Sequence, residues 1–116
     1  AKAALSKFAN NVLNQNRDMD VSIYGYTDNT GWKNSTAEQS AQKNLNLSQE
    51  RAQSVSSYLL GCGVSPNQLK SVEGMGEANP VADNSTEAGR QENRRVEVFM
   101  YASQQMIQQA EAGTLQ

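Results

Sequence analysis

The sequence predicts an α+β or α/β sandwich in which helices cover one face of a sheet. Apolar residues near the start recur at helical spacing, later segments alternate at strand spacing, and the elements run helix, strand, helix, strand, strand. A chain of 116 residues has room for one two-layer core and not for two independent ones. The expected division is a single domain over residues 1–102 and a C-terminal helical extension over 103–116.

Leu5, Phe8, Ala9, Val12 and Leu13 fall at three- and four-residue steps, an amphipathic helix whose apolar stripe needs a surface to cover. After a polar break, Val21, Ile23 and Gly25 alternate with Ser22, Tyr24 and Tyr26, the period of a strand with one buried face. Turn formers end it at Thr27-Asp28-Asn29-Thr30-Gly31. Within the polar stretch that follows, Ser35-Thr36-Ala37-Glu38 fits a capping box and predicts a short surface helix. A separate helix is expected over residues 47–60, capped by Asn46 or Ser48 and stopped by Gly61-Cys62-Gly63. Residues 69–73 read as a strand, 74–91 as a long loop with a helical turn from Thr86, and 95–102 as a third strand with Val96, Val98 and Met100 buried.

Composition excludes several functions. No apolar run reaches membrane-spanning length, and the first residues lack the pattern of a signal peptide, so an export signal or membrane anchor is expected outside this chain. Ten basic against twelve acidic residues give a net charge of −2, no drive toward nucleic acid or anionic lipid. The absence of histidine removes serine-histidine and cysteine-histidine catalysis and the commonest metal ligand. The single cysteine, Cys62, forms no internal disulfide and reads as a packed, inert thiol. Gly74-Met75-Gly76 lacks the third glycine of a dinucleotide loop. No catalytic residue, metal or cofactor is therefore assigned.

Positions 47, 51, 55 and 58 share one helical stripe, which puts Arg51 among Leu47, Val55 and Tyr58 at the core margin. A guanidinium there needs an anionic partner or must reach water. Asp28, at the end of the first strand, is the nearest candidate in this architecture. Two readings stand at this point: an internal Asp28–Arg51 salt bridge fastening strand to helix, or a pocket rim whose opposite charges suit a zwitterion.

The motifs Thr27-Asp28-Asn29-Thr30-Gly31 and Asn44-Leu45-Asn46-Leu47-Ser48-Gln49-Glu50-Arg51-Ala52 resemble the T-D-x-x-G and N-x-x-L-S-x-x-R-A patterns of the OmpA-like peptidoglycan-binding family, which includes peptidoglycan-associated lipoproteins. Gly63-Val64, Gly74-Met75-Gly76-Glu77, Pro80, Asn84 and Asn93-Arg94-Arg95-Val96-Glu97 resemble its later blocks, in order, across residues 5–101. The resemblance implies an α+β fold with two main helices packed on a mixed sheet. It also implies non-covalent binding of peptidoglycan through the diaminopimelate stem peptide, in the periplasm of a Gram-negative bacterium. On this implication the domain tethers an outer-membrane protein or lipoprotein to the cell wall. It assigns the diaminopimelate contacts to Asp28 and Arg51, with Thr27, Asn44, Leu47 and Arg94 as secondary pocket residues.

This sequence departs from the family pattern in two places. The connection from Gly31 to Asn44 is longer than usual and carries the only tryptophan, Trp32, which either adds a contact to glycan or stem peptide or caps the domain. The family's first strand, expected ahead of the opening helix, is not in this sequence: either the fragment begins late or residues outside it supply the strand, and a sheet edge is expected to be exposed. That edge, or the 103–116 tail, is the expected route to a homodimer, and a periplasmic protein-interaction or oligomerisation domain is the alternative function.

Overall fold

The computed structural model describes residues 2–15 and 18–102, so the expected C-terminal extension lies outside the described residues. Helix α1, Lys2–Phe8, runs into a π-helical stretch, Ala9–Leu13. Strand β1, Met19–Gly25, follows, then helix α2, Ala37–Gly61, a 3-10 turn, Pro66–Gln68, and strand β2, Leu69–Gly74. Helix α3, Glu87–Asn93, and strand β3, Val96–Ala102, complete the order.

The sheet is mixed, in the order β2-β1-β3. β1 pairs parallel with β2 from Val21↔Leu69 to Gly25↔Gly74, and antiparallel with β3 from Met19↔Ala102 to Gly25↔Val96. A parallel pair needs a long crossover, which α2 supplies. Ala9, Leu13, Val21, Ile23, Ala52, Leu59 and Val64 form the buried core between helices and sheet. The partly buried Cys62 packs against it. On the opposite face Tyr24 and Phe99 meet edge to face at 5.8 Å, and the Ser22 and Tyr101 hydroxyls hydrogen-bond at 3.0 Å.

Two sequence expectations fail on α2. Instead of a short surface helix and a second one over 47–60, the structure has one helix of 25 residues. Its cap is Thr36, whose side chain accepts from the Gln39 N–H while Gln39 returns a bond to the Thr36 N–H. Asn46 and Ser48, expected caps, lie inside the helix. Such side chains compete for backbone groups and favour helix ends when left alone. Here Asn46 accepts a bond from Gln42 one turn back, Ser48 bonds the Leu45 carbonyl, and Asn44 is held by Trp32 and Thr30.

Met100 is also misplaced. It lies opposite Val21 in register yet is 42% exposed. Val96 and Val98 share a shallow groove with Ala4, Leu5 and Val55, whereas Met100 lies farther along an outer strand.

The buried face of α2 is made mainly of small and polar residues, Ser40, Asn44, Ser48, Ala52 and Leu59. The sheet explains this. Gly25 and Gly74 are directly paired across β1 and β2, and a β-carbon on either would collide with α2, at the Ser48 carbonyl for Gly25 and at Ser48 and Gln49 for Gly74. The paired glycines form a notch in which the helix backbone sits. Gln49 fastens it there, donating to the Val72 carbonyl and accepting from the Gly74 N–H. A second buried amide, Gln68, donates to the carbonyls of Leu13 and Met19 and joins the end of the first helix to β1.

Gly25→Ala is expected to destabilise the fold by about 1–3 kcal/mol, because helix backbone must move to admit the methyl group. Gly61→Ala, with nothing within 4 Å of the new carbon, should change stability by less than about 1 kcal/mol and in the stabilising direction. Urea unfolding of the two variants checks both; equal effects would remove the notch as the cause.

Candidate functional site

β1, the central strand, delivers Asp28 just past its C-terminal end. Past Gly25 the chain stays tied down: the Tyr26 N–H bonds the Arg95 carbonyl and the Thr27 N–H bonds the Gly76 carbonyl, both at 2.8 Å. Thr27 is buried and its hydroxyl donates to the Asp28 carbonyl at 2.8 Å. Gly76 is itself fixed by Ser48, whose hydroxyl accepts its N–H at 2.9 Å. The notch that seats α2 therefore also anchors the loop that holds Thr27.

Asp28 is only 6% exposed. Oδ1 accepts the Thr30 N–H at 2.9 Å, and Oδ2 accepts Arg94 Nη1 at 2.7 Å. Burial pushes its pKa up, but the bonds from Thr30 and Arg94 outweigh that and hold the carboxyl below its ordinary value of 3.8. Asp28 is thus a desolvated carboxylate at neutral pH, and each oxygen retains acceptor capacity beyond the one bond it takes. Arg94 continues to Glu87, at 2.6 Å, so the guanidinium bridges two carboxylates. α3 presents both residues, beginning at its Thr86 cap and ending at Arg94. The fully buried Asn93 side chain pins the neighbouring loop through Val81, Ala82 and Asn84.

Across from Asp28, α2 contributes Asn44 and Leu47, one turn apart. Asn44 accepts the Trp32 indole N–H at 2.8 Å and donates to the Thr30 carbonyl at 3.2 Å. Asp28, Thr30, Gly31, Trp32, Asn44, Leu47 and Arg94 line an open cleft of about 360 Å³. That is near the lower end for small-molecule sites, room for one amino-acid side chain and part of its neighbour.

The structure brings together Asp28, Asn44, Leu47 and Arg94 from the sequence-expected set. Thr27 lies behind the cleft as a support. Arg51 is half-buried, donates Nη1 to the Tyr26 carbonyl at 2.9 Å, and is not among the lining residues. The internal Asp28–Arg51 salt bridge that the sequence left open is not formed: Asp28 pairs with Arg94 instead. The other N–H groups of Arg51 have no partner among the described residues. The interleaved charges of α3 and β3 pair locally, Arg90 with Glu87 and Arg95 with Glu97. Thr30 and Gly31 are lining residues that sequence reasoning treated only as turn formers. Among the described residues no group of three or more His, Cys, Asp or Glu side chains could hold a metal ion.

Fold and cleft together define an OmpA-like α+β domain: helices on a mixed sheet, with a charged cleft where the first strand ends. The chain belongs to the OmpA family, which it matches over residues 1–94. It is 41% identical over 89 residues to the probable lipoprotein YiaD of Escherichia coli, covering 77% of this chain and 36% of that protein. It is 44% identical over 83 residues to the peptidoglycan-binding protein ArfA of Mycobacterium bovis, covering 72% of this chain and 23% of that one. The structure superposes on the peptidoglycan-associated lipoprotein of Burkholderia pseudomallei with a TM-score of 0.71 at 29% identity, covering 86% of this chain and 76% of that one. The chain thus spans about a quarter to a third of the length of these curated relatives.

Because Asp28 is held below its ordinary value of 3.8, its contribution to stability is complete above that value and is lost as pH falls through the folded-state value. Asp28→Asn should lower stability at neutral pH, and its deficit against the parent should shrink between about pH 5 and pH 2. Denaturation midpoints across that range check this; a deficit that stays constant would mean Asp28 is not ion-paired.

Proposed function

We propose that this domain binds peptidoglycan non-covalently, taking the free amino-acid end of diaminopimelate in the stem peptide, and so tethers an outer-membrane protein or lipoprotein to the cell wall from the periplasmic side. The observation that carries the reading is Asp28: a buried, ionised carboxylate on an open cleft, with spare acceptor capacity and a guanidinium at 2.7 Å. A ligand ammonium pairs with such a carboxylate. The ligand carboxylate needs a planar donor, and the N–H groups of Arg51 that have no partner among the described residues supply one, its position fixed by the bond to Tyr26. Thr27 and Asn44 support the rim, Leu47 gives it an apolar side, and Arg94 keeps Asp28 charged before ligand arrives.

The names of the relatives support the same reading, one being called peptidoglycan-binding and another a lipoprotein. Binding rather than catalysis fits the chemistry, since the cleft joins an ion-paired carboxylate to one arginine and one amide side chain.

The domain should cosediment with purified peptidoglycan sacculi, and free meso-diaminopimelate should compete. Asp28→Ala or Arg51→Ala should weaken binding roughly 30-fold, the worth of about 2 kcal/mol for a charged hydrogen bond. Circular dichroism shows whether each variant remains folded. Unchanged cosedimentation of both folded variants would sink the site.

A further inference from the structure

The proposed clamp uses Asp28 from the lining of the cleft and leaves Trp32 unused. This is the only tryptophan of the chain, and it is 42% exposed while held at several points. Its indole N–H donates to Asn44 at 2.8 Å, its backbone N–H to the Ser40 hydroxyl at 2.8 Å, and its carbonyl accepts the Ser35 N–H at 3.2 Å. The Lys43 ammonium lies 5.5 Å from the ring centroid and is itself bonded to the Ser35 hydroxyl at 2.7 Å. Surface tryptophans shed exposed area when they can turn inward. This one is fixed in place, so the rotamer entropy that a ligand would otherwise have to remove is already gone.

The cleft lining is divided in kind. Thr30 and Arg94 each bond Asp28, and the three form its charged part. Leu47 and Trp32 flank Asn44, one as its neighbour a helical turn away and the other through the indole bond, and they form its apolar part. A slot with a charged end and an apolar side matches a zwitterionic head carried on an unbranched hydrocarbon chain. Sugar rings carry hydroxyls around their periphery and would need donors and acceptors along this side, where Asn44 is already committed to Trp32 and Thr30.

We propose that Trp32 is a specificity-determining residue of the cleft, its indole forming the wall against which the methylene chain of the bound diamino acid lies. This rests on the function proposed above and adds to it the basis for reading chain length. Asp28 and Arg51 recognise a head group that every free amino acid possesses; Trp32 recognises what lies between that head and the peptide.

The tryptophan reports on itself. Titrating the full chain with meso-diaminopimelate, while following emission and acrylamide quenching, should shift the emission to shorter wavelength and shield the ring, at the same Kd that calorimetry gives. Trp32→Ala should weaken diaminopimelate binding about ten-fold, the scale of partly burying two or three methylenes. It should leave D-alanine, which has the head without the chain, nearly unaffected in an NMR titration. Trp32→Phe keeps an aromatic wall without the bond to Asn44 and should fall between. Asp28→Asn should weaken both ligands alike. Diaminopimelate binding that leaves emission unchanged, and that Trp32→Ala does not alter, overturns the wall while the proposed function stands. Shielding of Trp32 by the glycan disaccharide and not by diaminopimelate overturns it in favour of sugar. No binding of diaminopimelate to the parent overturns the function and the wall together.

Discussion

The seat of α2 in the glycine notch of the sheet sets the position of nearly everything that matters at the cleft. Gly25 and Gly74 face one another across the parallel pair β1 and β2, and the absence of two side chains lets the helix backbone come down at Ser48. Ser48 then holds Gly76, and Gly76 holds Thr27, one residue before Asp28. On the helix, Asn44 lies one turn before Ser48, with Leu47 and Arg51 on either side. One close approach therefore fixes the distance between strand end and helix, and with it the width of the cleft.

Within that frame the charged groups are arranged ahead of any ligand. Desolvation alone would favour a neutral Asp28, and two donors, the Thr30 N–H and the Arg94 guanidinium, reverse the balance. Arg94 shares its other side with Glu87, so it has two carboxylates to satisfy and is restrained on both. Arg51 takes the opposite arrangement, tied to a backbone carbonyl and with no second partner among the described residues. Of these two arginines, Arg94 helps to set the charge state of Asp28, and Arg51, with no second partner among the described residues, has capacity for a further anion.

Much of the architecture was legible because it depends on local pattern. Alternation in Val21-Ser22-Ile23-Tyr24 and in Val96-Glu97-Val98 marks strands, Gly63 with φ of +94° ends α2 as expected, and Thr86 caps a real helix. The motif blocks around Asp28 and Asn44 led to the right family. Where local pattern misled, a distant partner was responsible. Asn46 and Ser48 look like caps until Gln42 and Gly76 engage them, and one helix runs through both. Ser40, Asn44, Ser48 and Ala52 do not read as a buried face until two glycines on the sheet require small residues opposite them.

By itself, then, the sequence determined the strands, the helix-on-sheet class and the family, since each rests on residues close together in the chain. Tertiary structure decided the rest: that Asp28 pairs with Arg94 and not with Arg51, and that Trp32 comes to lie along the cleft, bonded to Asn44. Asp28 and Arg94 are 66 residues apart. Hydrogen bonds and ion pairs act over a few ångströms, and the fold alone brings such groups within that range.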